Sequence, residues 1–329
     1  MRVDVHSHFL PPRYYEKLGE LGGYEQIEAL APYRGMAAQY AAMLFPEGES
    51  AFIAQRVKDM DTRGVDAVVM SLGAVQPYFA DEKAAVAGAR YANSMLGDAV
   101  DMGGGRIKAF GALPLPHAAA AREEIAFCLD ECGFAGINLG CSADGLPLDD
   151  ERFDAVWAEL DARAATVHIH PGTTPSMGVG SGEFSLGPSF IGPTELAVTL
   201  SRLVLSKLTF RYPNVRIIGA CLGGTIPYLA ERFAVHVRLT HPALYDELDG
   251  VLPYLQRLWY DTSFEDGRAF ETVRHTLGVD RLVLGSDSPR ISVAEAVDLI
   301  TSNELLTADE KTRILDRNGA EALGLNAGK

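Results

Sequence analysis

Cysteine is scarce in this sequence and unevenly spaced. The 329 residues include only four cysteines, which are Cys128, Cys132, Cys141 and Cys221. Four cysteines at such irregular spacing do not form the disulfide framework of a small secreted domain. Cys128 and Cys132 lie four residues apart in a stretch with helical spacing, which places them on one buried helix face rather than in a zinc site.

Positive charge and long apolar runs are also lacking. The chain has 29 Lys and Arg against 44 Asp and Glu, a formal charge of -15. This balance disfavours nucleic-acid partners and anionic membranes, although a few arginines in one cleft can still bind a carboxylate. No apolar run is long enough to cross a bilayer, and no basic segment precedes a short apolar one at the start. We therefore expect a cytoplasmic protein without a membrane partner.

Strand and helix patterns alternate along the chain. Hydrophobic residues make up 47% and charged residues 22%, which is ordinary for a globular protein. After the opening strand, buried strands are predicted at 65–72, 106–113, 134–139, 165–170, 215–220, 258–261 and 281–286. Helices are predicted at 51–63, 81–100, 118–132, 150–163, 194–210 and 270–277. About eight strand and helix units in one series predict an α/β fold, a single (β/α)8 TIM barrel.

We expect one barrel domain over residues 1–329, with 13–50 inserted after the first strand as a long loop with helical pieces. A doubly wound open sheet is the alternative topology. Against it, no glycine-rich phosphate loop follows the first strand, and polar residues of interest end strands throughout the chain.

Two histidines stand at alternate positions at the end of the first strand. His6 and His8 project to the same side of an extended chain, and Pro11 and Pro12 prevent the strand from continuing. Two imidazoles at a strand end can begin a metal site. A His-x-His pair also arises by chance, so it needs support from the rest of the chain.

That support comes from other strand ends. Side chains at the C-terminal ends of barrel strands share one mouth, where His170 ends the fifth strand and Asp287 follows the eighth. Each has a structural alternative, since His170 can cap its strand and Asp287 can open a turn. His6, His8, His170 and Asp287 together suit a divalent transition metal, zinc first. His168, one alternation deeper, is predicted to support the ligands rather than bind the metal.

Segments along most of the chain resemble the amidohydrolase superfamily, in the branch that includes aminocarboxymuconate semialdehyde decarboxylase and aromatic acid decarboxylases. The matching segments are residues 4–12, 59–66, 110–115, 148–153, 168–171, 210–213, 223–224, 260–262 and 285–289. The resemblance implies that His6, His8, His170 and Asp287 occupy the ligand positions, filled by zinc or, in some relatives, manganese. It also implies a homodimer and a small-molecule substrate.

One position departs from the family pattern. Where relatives carry a histidine after the sixth strand, this sequence has Cys221 in Ala-Cys-Leu-Gly-Gly. Cys221 is a candidate metal ligand as thiolate, a candidate catalytic residue as nucleophile or acid/base, or a small neutral replacement. We favour the third, because a thiolate without an adjacent base or metal contact is hard to stabilise in an acidic site.

The leading functional prediction is a metal-dependent lyase, a non-oxidative decarboxylase of a small cyclic or conjugated carboxylic acid. Asp287 would serve as ligand and proton carrier together, and Arg232 and Arg238 are candidate substrate-binding residues by resemblance. One alternative is a metal-dependent hydrolase of a C-C or C-N bond. Another is a barrel with altered or no catalysis, motivated by Cys221. Substrate specificity would lie in 13–50 and 172–193.

Overall fold

Eight parallel strands form one sheet around a central axis. The computed structural model describes residues 1–22, 42–172, 186–263 and 267–325. Each strand pairs with the next along the chain. The strands are β1 Val3–His8, β2 Ala67–Ser71, β3 Ile107–Gly111, β4 Gly136–Gly140, β5 Thr166–His170, β6 Arg216–Gly219, β7 Trp259–Asp261 and β8 Leu282–Val283. This arrangement confirms the predicted (β/α)8 barrel.

The first and last strands meet, which closes the barrel. The amide of Val5 donates to the carbonyl of Leu284 at 2.9 Å, and the amide of Asp287 donates to the carbonyl of His6 at 2.8 Å. The chain after β8 therefore lies directly against the end of β1. This seam brings Asp287 beside the two histidines of β1.

Helices cover the outside of the sheet. They are α1 Pro12–Glu20, α2 Glu49–Asp61, α3 Glu82–Met102, α4 Ala118–Ala126, α5 Asp154–Ala162, α6 Gly192–Leu205, α7 Leu208–Arg211, α8 Ile226–Thr240, α9 Pro242–Glu247, α10 Leu252–Leu255, α11 Gly267–Thr276, α12 Val293–Thr301, α13 Ala308–Thr312 and α14 Asn318–Ala322. Within the described ranges, no helix combines the length and apolar character needed to span a bilayer.

Some predicted boundaries are wrong in detail. The helix predicted over 194–210 is divided, because Lys207 adopts a left-handed conformation with φ +58° between α6 and α7. The predicted strand 281–286 is regular only over Leu282–Val283. The inserted segment 13–50 includes most of α1, but residues 23–41 lie outside the described part of the chain, as do 173–185 of the predicted second long loop.

The apolar core has two layers. One lies between the sheet and the helices. The other fills the barrel and joins side chains of several strands, including Val5, Val69, Phe110 and Ile218. Leu323, after α14, belongs to this inner cluster. The barrel interior is thus packed with apolar side chains. The polar residues of the candidate site lie above this cluster, at the C-terminal ends of the strands.

A register shift in β1 turns its histidines inward. Val3 and Asp4 pair with Ala67 and Val68 of β2, whereas Ser7 and His8 pair with Met70 and Ser71, so β1 has one extra residue between Asp4 and Ser7. Val3 and Val5 already face the barrel interior. Strict alternation from Val3 would have put His6 and His8 on the outer face with Asp4. The extra residue, a β-bulge, returns them to the inner face.

Candidate metal centre

Four side chains converge at the mouth of the barrel, each offering one ligand atom. The ligand atoms of His6, His8, His170 and Asp287 lie within 4.8 Å of one another. The Nε2 atoms of His6 and His8 are 3.3 Å apart, and Asp287 Oδ1 lies 2.7 Å from His8 Nε2 and 3.3 Å from His6 Nε2. Spacings near 3 Å match atoms that share one ion at about 2.0–2.2 Å. The structure therefore brings together all four predicted ligands.

The other ring nitrogens of two of these histidines are already occupied. His170 Nδ1 donates to the carbonyl of Pro171 at 2.7 Å, and His6 Nδ1 donates to Asp261 Oδ2 at 2.9 Å. A neutral imidazole that donates from Nδ1 has its lone pair on Nε2. In both residues that lone pair is the one available to a metal, so the donor set fits a divalent cation.

Asp287 reaches the cluster through an unusual backbone conformation. Its φ is +57°, in the left-handed region that costs a residue other than glycine roughly 1–3 kcal/mol. Burial opposes its charge, but the positive charge of His6 lowers the pKa of Asp287 well below its ordinary value. Its second oxygen, Oδ2, accepts from Arg290 Nε at 2.6 Å. Arg290, which the sequence analysis did not single out, thus holds the outer side of this carboxylate.

Asp261, at the end of β7, is a buried acceptor behind the cluster that sequence reasoning missed. Its Oδ2 accepts from His6 Nδ1 and from His168 Nε2, both at 2.9 Å. Its Oδ1 accepts from the amides of Cys221 and Ser263 and from the Ser263 hydroxyl. With five donors, and with the His6 charge lowering its pKa against the effect of burial, Asp261 is a permanent carboxylate.

His168 lies where the sequence placed it, below the ligands. It is fully buried, stacks on Phe110 with ring centroids 5.5 Å apart, and bonds Asp261 rather than the four-ligand cluster. Burial lowers its pKa to about 4 despite that hydrogen bond. His168 is therefore a neutral imidazole near neutral pH.

Without metal, His6 is a positively charged imidazolium near neutral pH. Burial favours its neutral form, but the carboxylates of Asp261 and Asp287 outweigh burial and raise the pKa of His6 to about 10. Burial and the charge of His6 lower the pKa of His170 well below its ordinary value. A metal that binds His6 through Nε2 must displace its proton, while the proton on Nδ1 stays on the bond to Asp261.

We therefore expect metal affinity to rise with pH, by about tenfold per unit between roughly pH 7 and 9, because one proton is released for each ion bound. The folding stability of the metal-free protein should instead fall as pH rises. The raised pKa of His6 stabilises the fold below its unfolded value of 6.5, and this stability is lost as pH rises towards 10. Competition against a chelating indicator and urea unfolding at several pH values measure the two trends.

The matched control is His236→Gln, which removes an exposed histidine of α8. It should keep the wild-type pH dependence. Affinity independent of pH between 7 and 9 would contradict the assignment of the displaced proton to His6.

Gly73 fits tightly against His8. It follows β2 with φ +55°, and a Cβ there would lie 2.3 Å from His8 Cε1 and 2.6 Å from Nδ1. Gly73→Ala should displace the imidazole and lower metal affinity by about 10- to 100-fold, the range seen when groups that orient ligands are altered. Gly64→Ala is the control, since Gly64 has φ +61° and nothing within 4 Å of its Cβ position. Equal metal affinity in the two variants would rule out this steric role.

Cys221 lies beside Asp261 but not among the four ligands. Its amide donates to Asp261 Oδ1 at 3.1 Å, and its Sγ is 3.8 Å from the Ser263 hydroxyl. Cys221 and Leu222 are both left-handed, with φ +49° and +52°. Burial and the charges of Asp261 and Asp287 raise the pKa of this thiol. A neutral thiol favours the interpretation of Cys221 as a small uncharged replacement.

Arg232 and Arg238 are both exposed on α8. Neither forms a hydrogen bond with the four candidate ligands among the contacts of the described residues. Their predicted contact with substrate stays a prediction. Arg290 is the arginine that contacts the cluster directly, and the signal that could have found it is its position three residues after Asp287.

A family model described as Amidohydrolase matches residues 3–325 of this chain. The 2-amino-3-carboxymuconate-6-semialdehyde decarboxylase of Dictyostelium discoideum is 26% identical, over 100% of this chain and 93% of that protein. The gamma-resorcylate decarboxylase of Rhizobium sp. (strain MTP-10005) is 28% identical, over 77% of this chain and 82% of that protein.

A solved structure shares the fold. It is a mutant of the 5-carboxyvanillate decarboxylase of Novosphingobium aromaticivorans, with bound manganese and 3-methoxy-4-hydroxy-5-nitrobenzoic acid. It superposes with a TM-score of 0.82 at 22% identity, over 98% of this chain and 97% of that one.

Proposed function

The chain belongs to the amidohydrolase family, and on that premise we propose that it is a metal-dependent, non-oxidative decarboxylase of a small cyclic or conjugated carboxylic acid. The observation that carries the proposal is the convergence of His6, His8, His170 and Asp287 at the barrel mouth. Relatives that are decarboxylases of aromatic or conjugated acids support the reaction type.

The proposed ligands are the same four side chains, and the proposed ion is zinc, with manganese as the alternative. Three imidazoles and one carboxylate suit zinc, whereas the manganese bound in the related 5-carboxyvanillate decarboxylase supports the alternative. When bound, such an ion supplies Lewis acidity that orients the substrate carboxylate or a neighbouring oxygen and stabilises developing negative charge.

Decarboxylation also requires a proton for the carbon that loses carbon dioxide. Asp287 is the residue we assign to carry it. Asp287 is a carboxylate at rest, so it can receive a proton from a substrate hydroxyl or carboxyl group, and its low pKa favours passing that proton on to the carbon. Protonation uses a π electron pair of the ring or conjugated system. The bond to the carboxyl carbon then breaks, and its electron pair restores that π bond as carbon dioxide leaves. One proton enters the product for each carbon dioxide released, and no water is consumed.

Arg290 positions Asp287 in this scheme. By donating to Oδ2 it directs Oδ1 towards His6 and His8. Arg232 and Arg238 remain candidate contacts for the substrate carboxylate. The homodimer expected from the resemblance is likewise a proposal, and sedimentation equilibrium tests it directly.

Isotope labelling separates decarboxylation from hydrolysis. The metal-reconstituted protein is incubated with a panel of ortho-hydroxylated aromatic acids and conjugated unsaturated acids, in D2O and in H2(18)O. A decarboxylase releases carbon dioxide and places one deuterium on the carbon that carried it, with no 18O in that product. Incorporation of 18O into the product would establish a hydrolase instead. Metal binding without turnover of any substrate in the panel would support the alternative of a barrel with altered or no catalysis.

The role of Cys221 has its own test. We expect Cys221→Ser to retain the wild-type metal content by elemental analysis, because its thiol is neutral and lies outside the ligand cluster. Cys132→Ser, at a half-buried cysteine after α4, controls for general thiol chemistry. Loss of metal in Cys221→Ser alone would identify the thiolate as a ligand.

A further inference from the structure

A chain of buried amides runs from the loop after β2 to His168. Gln76 Nε2 donates to Asn138 Oδ1 at 2.6 Å, and Asn138 Nδ2 lies 3.4 Å from His168 Nδ1. Gln76 is 4% exposed, Asn138 1% and His168 0%. Through His168 Nε2 and Asp261 the chain continues to His6. It joins four barrel strands and the loop after β2.

Two backbone carbonyls fix the orientation of both amides. Gln76 Nε2 donates to the carbonyl of Gly73 at 2.9 Å, and Asn138 Nδ2 donates to the carbonyl of His168 at 3.2 Å. A carbonyl oxygen can only accept, so each NH2 group must face its carbonyl. Rotating either amide would set two oxygens against each other. Asn138 therefore presents a donor, never an acceptor, to His168 Nδ1.

Asn138 and Asp261 together determine which ring nitrogen of His168 carries the proton. Since Nδ1 accepts from Asn138, the proton of the neutral imidazole is on Nε2, where it donates to Asp261. Asp261 Oδ2 then accepts from two imidazoles, His168 and His6. Acceptance by Asp261 holds a proton on His6 Nδ1, so the proton that a metal would displace is the one on Nε2.

We propose that Asn138 and Gln76 are positioning residues that, together with Asp261, set the tautomer of His168 and, through Asp261, the ligand nitrogen of His6. The tautomer of His168 follows from the geometry alone, whereas the consequence for metal affinity rests on the proposed function. Among the contacts of the described residues, neither side chain forms a hydrogen bond with the four ligands. Gln76 also holds the carbonyl of Gly73, which packs against His8, so the His168 tautomer and not metal affinity alone identifies the hydrogen-bond route.

Asn138→Asp replaces the donor that faces His168 Nδ1 by an acceptor. The introduced carboxylate accepts, so His168 must carry a proton on Nδ1. It then either loses its bond to Asp261 or becomes a charged imidazolium, and both outcomes weaken the metal site. We expect the Nδ1–H of His168 to appear in 15N NMR of the metal-free, histidine-labelled protein, with the signal assigned by comparison with His168→Gln. Metal affinity should fall by about 10- to 100-fold.

Gln76 provides a second test, one residue further along the chain. Gln76→Glu replaces the donor by a charged acceptor. Its bond to the Asn138 NH2 group is stronger than the neutral bond that Asn138 gives up at the carbonyl of His168, so Asn138 turns and presents its oxygen to His168 Nδ1. The tautomer should switch as in Asn138→Asp. Gln76→Leu removes the donor without adding an acceptor, and the carbonyl of His168 still holds Asn138, so the wild-type tautomer should persist. A general loss of packing would not distinguish these two variants in this way.

Asn303→Asp is the matched control, because Asn303 is also buried and its Oδ1 accepts from the amide of Leu305. It should keep the His168 tautomer and the metal affinity of wild type. Unprotonated Nδ1 in folded Asn138→Asp and Gln76→Glu would overturn the proposal, and so would a switched tautomer with unchanged affinity. Because the NMR experiment needs neither metal nor substrate, absence of decarboxylase activity would refute the proposed function without affecting this result.

Discussion

Asp287→Asn should lower turnover by about 10²- to 10⁴-fold, the range supplied by a positioned proton carrier. The amide cannot take up and return the substrate proton. It also removes a negative charge beside His6 Nε2 and His8 Nε2. Steady-state release of carbon dioxide from the substrate found in the panel, with metal content measured in parallel, separates loss of chemistry from loss of the ion.

The control for this variant is Asp298→Asn, at an exposed carboxylate paired with Arg63. Exposed ion pairs contribute about 0–1 kcal/mol to stability, so this variant should fold and turn over as wild type does. Turnover within a few-fold of wild type in Asp287→Asn would remove Asp287 from the reaction.

Asp261→Asn should damage both metal binding and folding. The carboxylate accepts five hydrogen bonds in a site with no exposure, and an amide would place an NH2 group against some of those donors. Removing one member of a buried charge pair costs about 3–5 kcal/mol. Loss of the group that orients His6 should also lower metal affinity by about 10- to 100-fold. Urea unfolding and competitive metal titration measure the two effects.

Asp280→Asn is the comparison, since Asp280 is 80% exposed in its pair with Arg313. It should leave both quantities unchanged. If Asp261→Asn unfolds at the same urea concentration as wild type and binds metal equally well, Asp261 is not the centre of the site.

The sequence predicted the four candidate ligands because the barrel imposes a simple rule. C-terminal ends of parallel strands meet in one mouth, so His6, His8, His170 and Asp287 could be placed together despite their separation along the chain. The alternation of strands and helices was equally informative about the fold. Neither inference needed side-chain detail.

Other features depend on tertiary contacts that no local pattern reveals. Asp261 ends the predicted strand 258–261, so the strand-end rule could have placed it near the mouth, but its role is identified by its burial against two imidazoles. Gln76 and Asn138 lie 62 residues apart, and their pairing follows from the three-dimensional arrangement of β2 and β4. The β1 bulge is similarly hidden, because an extra residue is visible only when the partner strand is known.

The contact between β1 and β8 determines when, during synthesis of the chain, the four ligands can come together. His8 and Asp287 touch across a separation of 279 residues, so the first and last parts of the barrel meet in one site. During synthesis the histidines of β1 emerge early, but the fourth ligand arrives only when the eighth strand has been made. Tight metal binding would therefore require synthesis through the eighth strand and Asp287. Once bound, the ion would stabilise the closed barrel against separation of β1 from β8, because it binds only where both ends are together.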